Sequence, residues 1–124
     1  MIFNYFSKVK DKLEEINWII LKQTISFDPV LDDMGIIEGI LIFRDSSILE
    51  FMELVGEKDI EYRFHYMDKD KNLIYRWDTS PHHKKVHSFP YHLHTKRGVE
   101  DSKKMNFIDI LDIVADKVID NLGL

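Results

Sequence analysis

Between residues 60 and 78 the chain alternates with period two. Ile60, Tyr62, Phe64 and Tyr66 fall on one side, and Glu61, Arg63, His65 and Met67 on the other. After Asp68-Lys69-Asp70-Lys71-Asn72, Leu73, Tyr75 and Trp77 alternate with Ile74, Arg76 and Asp78. This pattern fits two half-buried strands joined by a turn, and it fits no helix. A slip of one residue would turn every aromatic ring to water, so paired residue numbers must sum to an odd value such as 139 or 141. In the first register Arg63 faces Arg76; in the second His65 faces Arg76 and Arg63 faces Asp78. Either way one sheet face collects Arg63, His65, Arg76 and Asp78, which on its own reads more readily as a salt-bridged polar face than as a site.

The flanking sequence predicts how that hairpin is covered. Phe3, Phe6, Val9, Leu13 and Ile16 recur at helical spacing near the start. Near the end Asn106 can cap a helix whose stripe is Phe107, Ile110, Leu111, Val114, Val118 and Leu122, with Gly123 closing it. Ile19 to Phe27 reads as a strand that Asp28-Pro29 breaks, and Asp45-Ser46-Ser47 separates Ile36 to Arg44 from Ile48 to Val55 as a hairpin. Trp18 and Trp77 read as core anchors and Tyr91 as inward-facing support. The expected fold is α+β: an antiparallel sheet of about five strands flanked by an N-terminal and a C-terminal helix, in one domain over residues 1–124.

Composition removes several chemistries. The 124 residues include no cysteine, so thiol nucleophiles, disulfides and Cys-ligated zinc are excluded. The start of the chain lacks the pattern of a secretory signal, and no apolar run approaches the length of a membrane span, so a cytoplasmic protein without a membrane partner is expected. The net charge of −5 argues against a general nucleic-acid binder, yet the average hides an asymmetry. Arg76, Lys84, Lys85, Lys96 and Arg97 stand against Asp78 alone between residues 76 and 97, a local charge of +4, and that segment holds five of the six histidines. Such a block suits an anion-facing site.

Two pieces of that segment carry the chemistry. Arg76-Trp77-Asp78-Thr79-Ser80-Pro81-His82-His83 leaves a strand, turns at a proline that keeps Ser80 extended, and presents adjacent imidazoles. Phe89-Pro90-Tyr91-His92-Leu93-His94 follows. As a strand it would set His92 and His94 on one side, roughly 6 to 7 Å apart, with Tyr91 and Leu93 toward the core. His87, between the two pieces, reads as an exposed loop residue.

The succession R-W-D-T-S-P-H-H and F-P-Y-H-L-H resembles the small prokaryotic toxin family called TumE-like, with patterns R-[WY]-D-x-x-P-H-H and F-P-x-H-x-H. The resemblance is strong over about residues 60 to 95, and Tyr91 stands where family members often have histidine. It implies a toxin of a type II toxin–antitoxin pair whose cognate antitoxin carries a helix-turn-helix domain. The positions it marks are Arg76, Asp78, Pro81, His82, His83, Phe89, Pro90, His92 and His94.

Three chemistries fit these residues. In a metal-independent ribonuclease, imidazoles act as base and acid: His92 and His94 are candidates with His82 or His83 as the other member, Asp78 orients a ring, and Arg76, Lys84 and Arg63 hold the phosphate of RNA. In a metal protein the same histidines and Asp78 would ligate a divalent ion such as Zn²⁺ or Mn²⁺, although no established metalloenzyme spacing is present. In a non-catalytic module the basic segment docks on an acidic partner. Homo-oligomerisation is compatible with all three, and the ribonuclease reading needs no cofactor.

Overall fold

The computed structural model describes residues 1–57, 61–79 and 90–123. Helix α1 (Ile2–Glu15) leads through a 3-10 turn at Asn17–Ile19 into strands β1 (Ile20–Leu31), β2 (Met34–Phe43), β3 (Ile48–Val55), β4 (Glu61–Met67), β5 (Leu73–Asp78), β6 (His92–Thr95) and β7 (Gly98–Asp101), and helix α2 (Phe107–Leu122) follows. The strands form one antiparallel sheet in sequence order, β1 to β7. The α+β class is as expected, but the sheet has seven strands where about five were anticipated. The additional pair is the short β6–β7 hairpin. All four residues of β7 are exposed, so no alternation marks it in the sequence.

Both helices cover the same sheet face. The buried stripe of α1 is Ile2, Phe6, Val9 and Leu13, with Phe3 left outside, and that of α2 is Phe107, Ile110, Leu111, Val114, Ala115 and Val118. Between them and the sheet lie Leu49, Phe51, Tyr62, Phe64, Tyr66 and Trp77, all buried. Phe107 stacks on Phe51 with ring centroids 4.2 Å apart and on Phe64 at 5.9 Å, so the first turn of α2 is held by π-faces from β3 and β4. Asn106 caps that turn, its side chain accepting from Asp109 N at 2.8 Å, and Gly123 closes the helix at φ 73°.

The hairpin of β4 and β5 takes the register in which Arg63 pairs with Asp78, Phe64 with Trp77 and His65 with Arg76. The other anticipated register, with Arg63 opposite Arg76, would have put two cations side by side. Two expectations, one about β1 and one about the turn before it, do not hold. Asp28-Pro29 does not interrupt the strand, which continues to Leu31, because β1 is an edge strand and a proline there need not donate to a neighbour. Trp18 is 52% exposed, since the 3-10 turn carries it past the end of α1, whereas Trp77 is buried as expected. No helix among the described residues is long and apolar enough to cross a membrane.

Among the described residues one charged side chain is buried against the helices. Glu53 on β3 is 3% exposed, accepts from Tyr5 Oη at 2.6 Å and from Phe107 N at 3.1 Å, and so ties both helices to the sheet. Burial pushes its carboxyl up to about 7, against the hydrogen bonds from Tyr5 and Phe107, which lower it. The folded protein then holds this proton more tightly than the unfolded chain, so Glu53 favours folding below the ordinary carboxylate range and loses that contribution as pH rises toward 7. The loss is on the order of 3 kcal/mol. Glu53→Gln keeps an acceptor for Phe107 and removes the titration. Unfolding followed by denaturant at pH 5 and pH 8 is expected to show a clearly smaller difference in the variant than in the parent.

Candidate functional site

Alternation places the second sheet face opposite the helices, and the register joins its residues into two rows that run across the strands. One row reads Ile40, Glu50, His65, Arg76, His94 and Val99. The other reads Glu38, Met52, Arg63, Asp78, His92 and Asp101. Strand β6 lies beside β5, so His92 and His94 meet Asp78 and Arg76 directly, and Tyr91 and Leu93 pack against the core from the other side. The two imidazole centroids are 6.3 Å apart, the separation expected of H-x-H on a strand.

Asp78 is the centre of the cluster. Its carboxylate accepts from Arg76 Nε at 3.2 Å and lies 3.3 Å from His94 Nε2 and 3.4 Å from His92 Nδ1. The carboxylate is nearly buried, at 7% exposure for the residue, and the adjoining guanidinium balances its charge. Arg76 reaches a second partner, donating from Nη2 to His94 Nδ1 at 3.2 Å. A guanidinium can only donate, so Nδ1 of His94 accepts and the ring proton sits on Nε2, directed at Asp78. Arginine and aspartate thus fix both the orientation and the tautomer of His94.

The candidates divide by accessibility. Arg63 is exposed and Arg76 half-buried, so both can meet an anion from solvent. His94 is nearly covered, and His92 is fully buried at 0% exposure. His82, His83 and Lys84, with Pro81, His87 and Phe89, lie outside the described residues. Among the described residues no three His, Asp or Glu side chains are grouped so as to hold a metal ion.

The structure adds His65 to this set. Alternation in the sequence already puts it on the polar face, but only the register shows that it stands directly opposite Arg76, on the flank away from His94. Partial burial, then the positive charges of Arg63 and Arg76, lower its pKa below the ordinary imidazole value, against the opposing effect of Glu50. A groove lined by Glu50, Met52, Arg63 and His65 opens beside it on the sheet face.

The arrangement therefore offers two imidazoles flanking a guanidinium in one cross-strand row, with a carboxylate behind one of them. Searches of curated proteins and of solved structures return no match. A family profile described as toxin TumE matches residues 10–121, which include all seven strands and every site residue named above. The chain belongs to the TumE toxin family.

Proposed function

We propose that this chain is the toxin of a toxin–antitoxin pair and acts by cleaving RNA through acid–base chemistry without a metal ion. The observation that carries this reading is the row His65, Arg76, His94. Alternate strands of a sheet are about 10 Å apart, so the two imidazoles bracket a space in which one phosphate can sit on the guanidinium. Arg63, exposed in the neighbouring row, supplies a second cation for the same anion.

The chemistry follows from what each side chain can do. His65, neutral near pH 7, takes the proton of a ribose 2′-hydroxyl. The freed oxygen attacks phosphorus, Arg76 and Arg63 balance the charge gathering on the phosphoryl oxygens, and the P–O5′ bond breaks. Engagement of Arg76 by phosphate draws Nη2 away from Nδ1 of His94. That nitrogen, freed of the guanidinium, takes up a proton from water to give an imidazolium whose charge Asp78 offsets at Nε2, and it then passes that proton to the leaving oxygen. His92, buried behind Asp78, is a positioning residue in this scheme. A negative protein can work on RNA in this way because only the local face must be positive. A cognate antitoxin, with a helix-turn-helix domain as the family resemblance implies, would restrain the activity in the cell.

The direct test is cleavage of a single-stranded RNA by purified protein, with unfolding midpoints measured in parallel. His65→Ala and His94→Ala are each expected to lower the rate by about 10²- to 10⁴-fold with the fold intact. Asp78→Asn, which leaves His94 without its carboxylate, is expected to lower the rate and move the alkaline side of the profile. Full activity in either histidine variant would sink this assignment. The rate is expected to rise with pH through the lowered pKa of His65 and to fall on the alkaline side as the acid deprotonates. Chelation with EDTA is expected to leave the rate unchanged; loss on chelation and recovery with Zn²⁺ or Mn²⁺ would transfer the cluster to metal chemistry.

A further inference from the structure

Strand β1 is twelve residues long and stands at the edge of the sheet. Among the described residues nothing pairs with its outer side. Long open edges invite another chain, and soluble proteins commonly shorten, bend or heavily charge them. Here the edge carries two charges, Lys22 and Asp28, placed symmetrically about Ile25 and both exposed.

The direction of the backbone groups is legible from the glycines of β2. A Cβ at Gly35 would come within 3.1 Å of Asp28 O, and one at Gly39 would collide with Thr24 O, so the even-numbered carbonyls of β1 point inward to β2. The odd positions Gln23, Ile25 and Phe27 accordingly turn their N–H and C=O groups outward. Pro29 is also odd, and its missing donor falls on the outer side.

We infer that β1 is a self-complementary docking edge, through which a second copy of this chain pairs antiparallel about Ile25 to extend the sheet across a two-fold axis. Outward-bonding residues must face each other, so paired numbers must sum to an even value. The register centred on Ile25 satisfies this, and it is also the one that sets Lys22 of each copy opposite Asp28 of the other. In it Thr24 faces Ser26, Gln23 faces Phe27, and Pro29 ends the ladder opposite Leu21, leaving roughly six inter-chain hydrogen bonds.

A second observation agrees with that register. The exposed apolar side chains of this region cluster at the two ends of the strand, Trp18 (52%) and Leu21 (62%) at its start and Val30 (52%) and Leu31 (60%) at its finish. A two-fold axis at Ile25 brings the start of one copy against the finish of the other at both ends, covering all four. Beside the edge, a groove between α1 and β1 lined by Lys10, Leu13, Gln23, Ile25 and Phe27 is open to receive the second copy's side chains at positions 23, 25 and 27. The histidine row, three to five strands away on β4 to β6, remains free.

Sedimentation and light scattering on the full chain at micromolar concentration test this, with a mass of twice 14.8 kDa expected. Lys22→Asp makes the edge all acidic and Asp28→Lys makes it all basic; each alone is expected to weaken association on the order of tenfold or more. Mixing the two variants is expected to restore a dimer, now mixed, which misfolding of either could not produce. The chain has no cysteine, and facing residues of such a pair lie about 5.5 Å apart between Cα atoms, so Ile25→Cys is expected to form an inter-chain disulfide under mild oxidation, and Ile40→Cys is not. A monomeric parent would overturn the inference. So would a dimer indifferent to both charge reversals, or a monomer whose β1 edge pairs only with an antitoxin.

Discussion

The stacking of Phe107 on Phe51 and Phe64 is the contact on which the rest of the molecule depends. It fixes which face of β3 and β4 is turned to the helices. In a continuous antiparallel sheet that decision propagates through the ladder to β5 and β6. Because side chains alternate strictly, a shift by one residue would bury Arg63 and Arg76 against the helices and expel Tyr62, Phe64 and Trp77 to water. Each large aromatic ring so exposed would forfeit roughly 2 to 3 kcal/mol of burial, and each uncompensated buried cation would cost more. The polar row is therefore a consequence of the aromatic one.

On that polar face, Asp78 joins partners that come from different parts of the chain and from both rows. Arg76 lies two residues away on the same strand, whereas His92 and His94 arrive on β6. A nearly buried carboxylate holding one guanidinium and two imidazoles gives little net stability, because desolvation offsets most of the attraction. What it contributes is geometry. Arg76 is drawn along the strand to a point from which Nη2 reaches His94, and His94 is left one tautomer and one orientation. Of the four side chains in this cluster Arg76 is the most exposed, and it is also the one that covers Nδ1 of the His94 ring.

Much of this was legible in the amino-acid sequence where two periodicities agreed. The β4–β5 hairpin, the capped C-terminal helix and the juxtaposition of His92 with His94 follow from spacing alone, since a buried face leaves a strict record of itself. β7 was not legible because all of its residues are exposed and nothing constrains their polarity. The continuation of β1 through Pro29 was hidden because the sequence does not say which strand is the edge, and only there is a missing N–H harmless. The place of His65 opposite Arg76 required the register. Glu53 was visible as an acid on the apolar side of β3, between Phe51 and Val55, but its partners Tyr5 and Phe107 are 48 and 54 residues away, and no local pattern points to them. Of the candidate site residues, Arg63, Arg76, Asp78, His92 and His94 share one face, and burial grades them from the exposed Arg63 to the fully buried His92.

The proposed cleavage uses a 2′-hydroxyl as the attacking group, and the chemical nature of the cut ends tests that most directly. Purified protein with EDTA present is incubated with a short RNA and with the same oligonucleotide carrying 2′-deoxyribose at the cleaved position, and the products are analysed by mass spectrometry. Attack by the 2′-hydroxyl requires a 2′,3′-cyclic phosphate on the upstream fragment, a 5′-hydroxyl on the downstream one, and no cleavage at the deoxy position. Ends bearing a 3′-hydroxyl and a 5′-phosphate, or cleavage undiminished by the deoxy sugar, would contradict it.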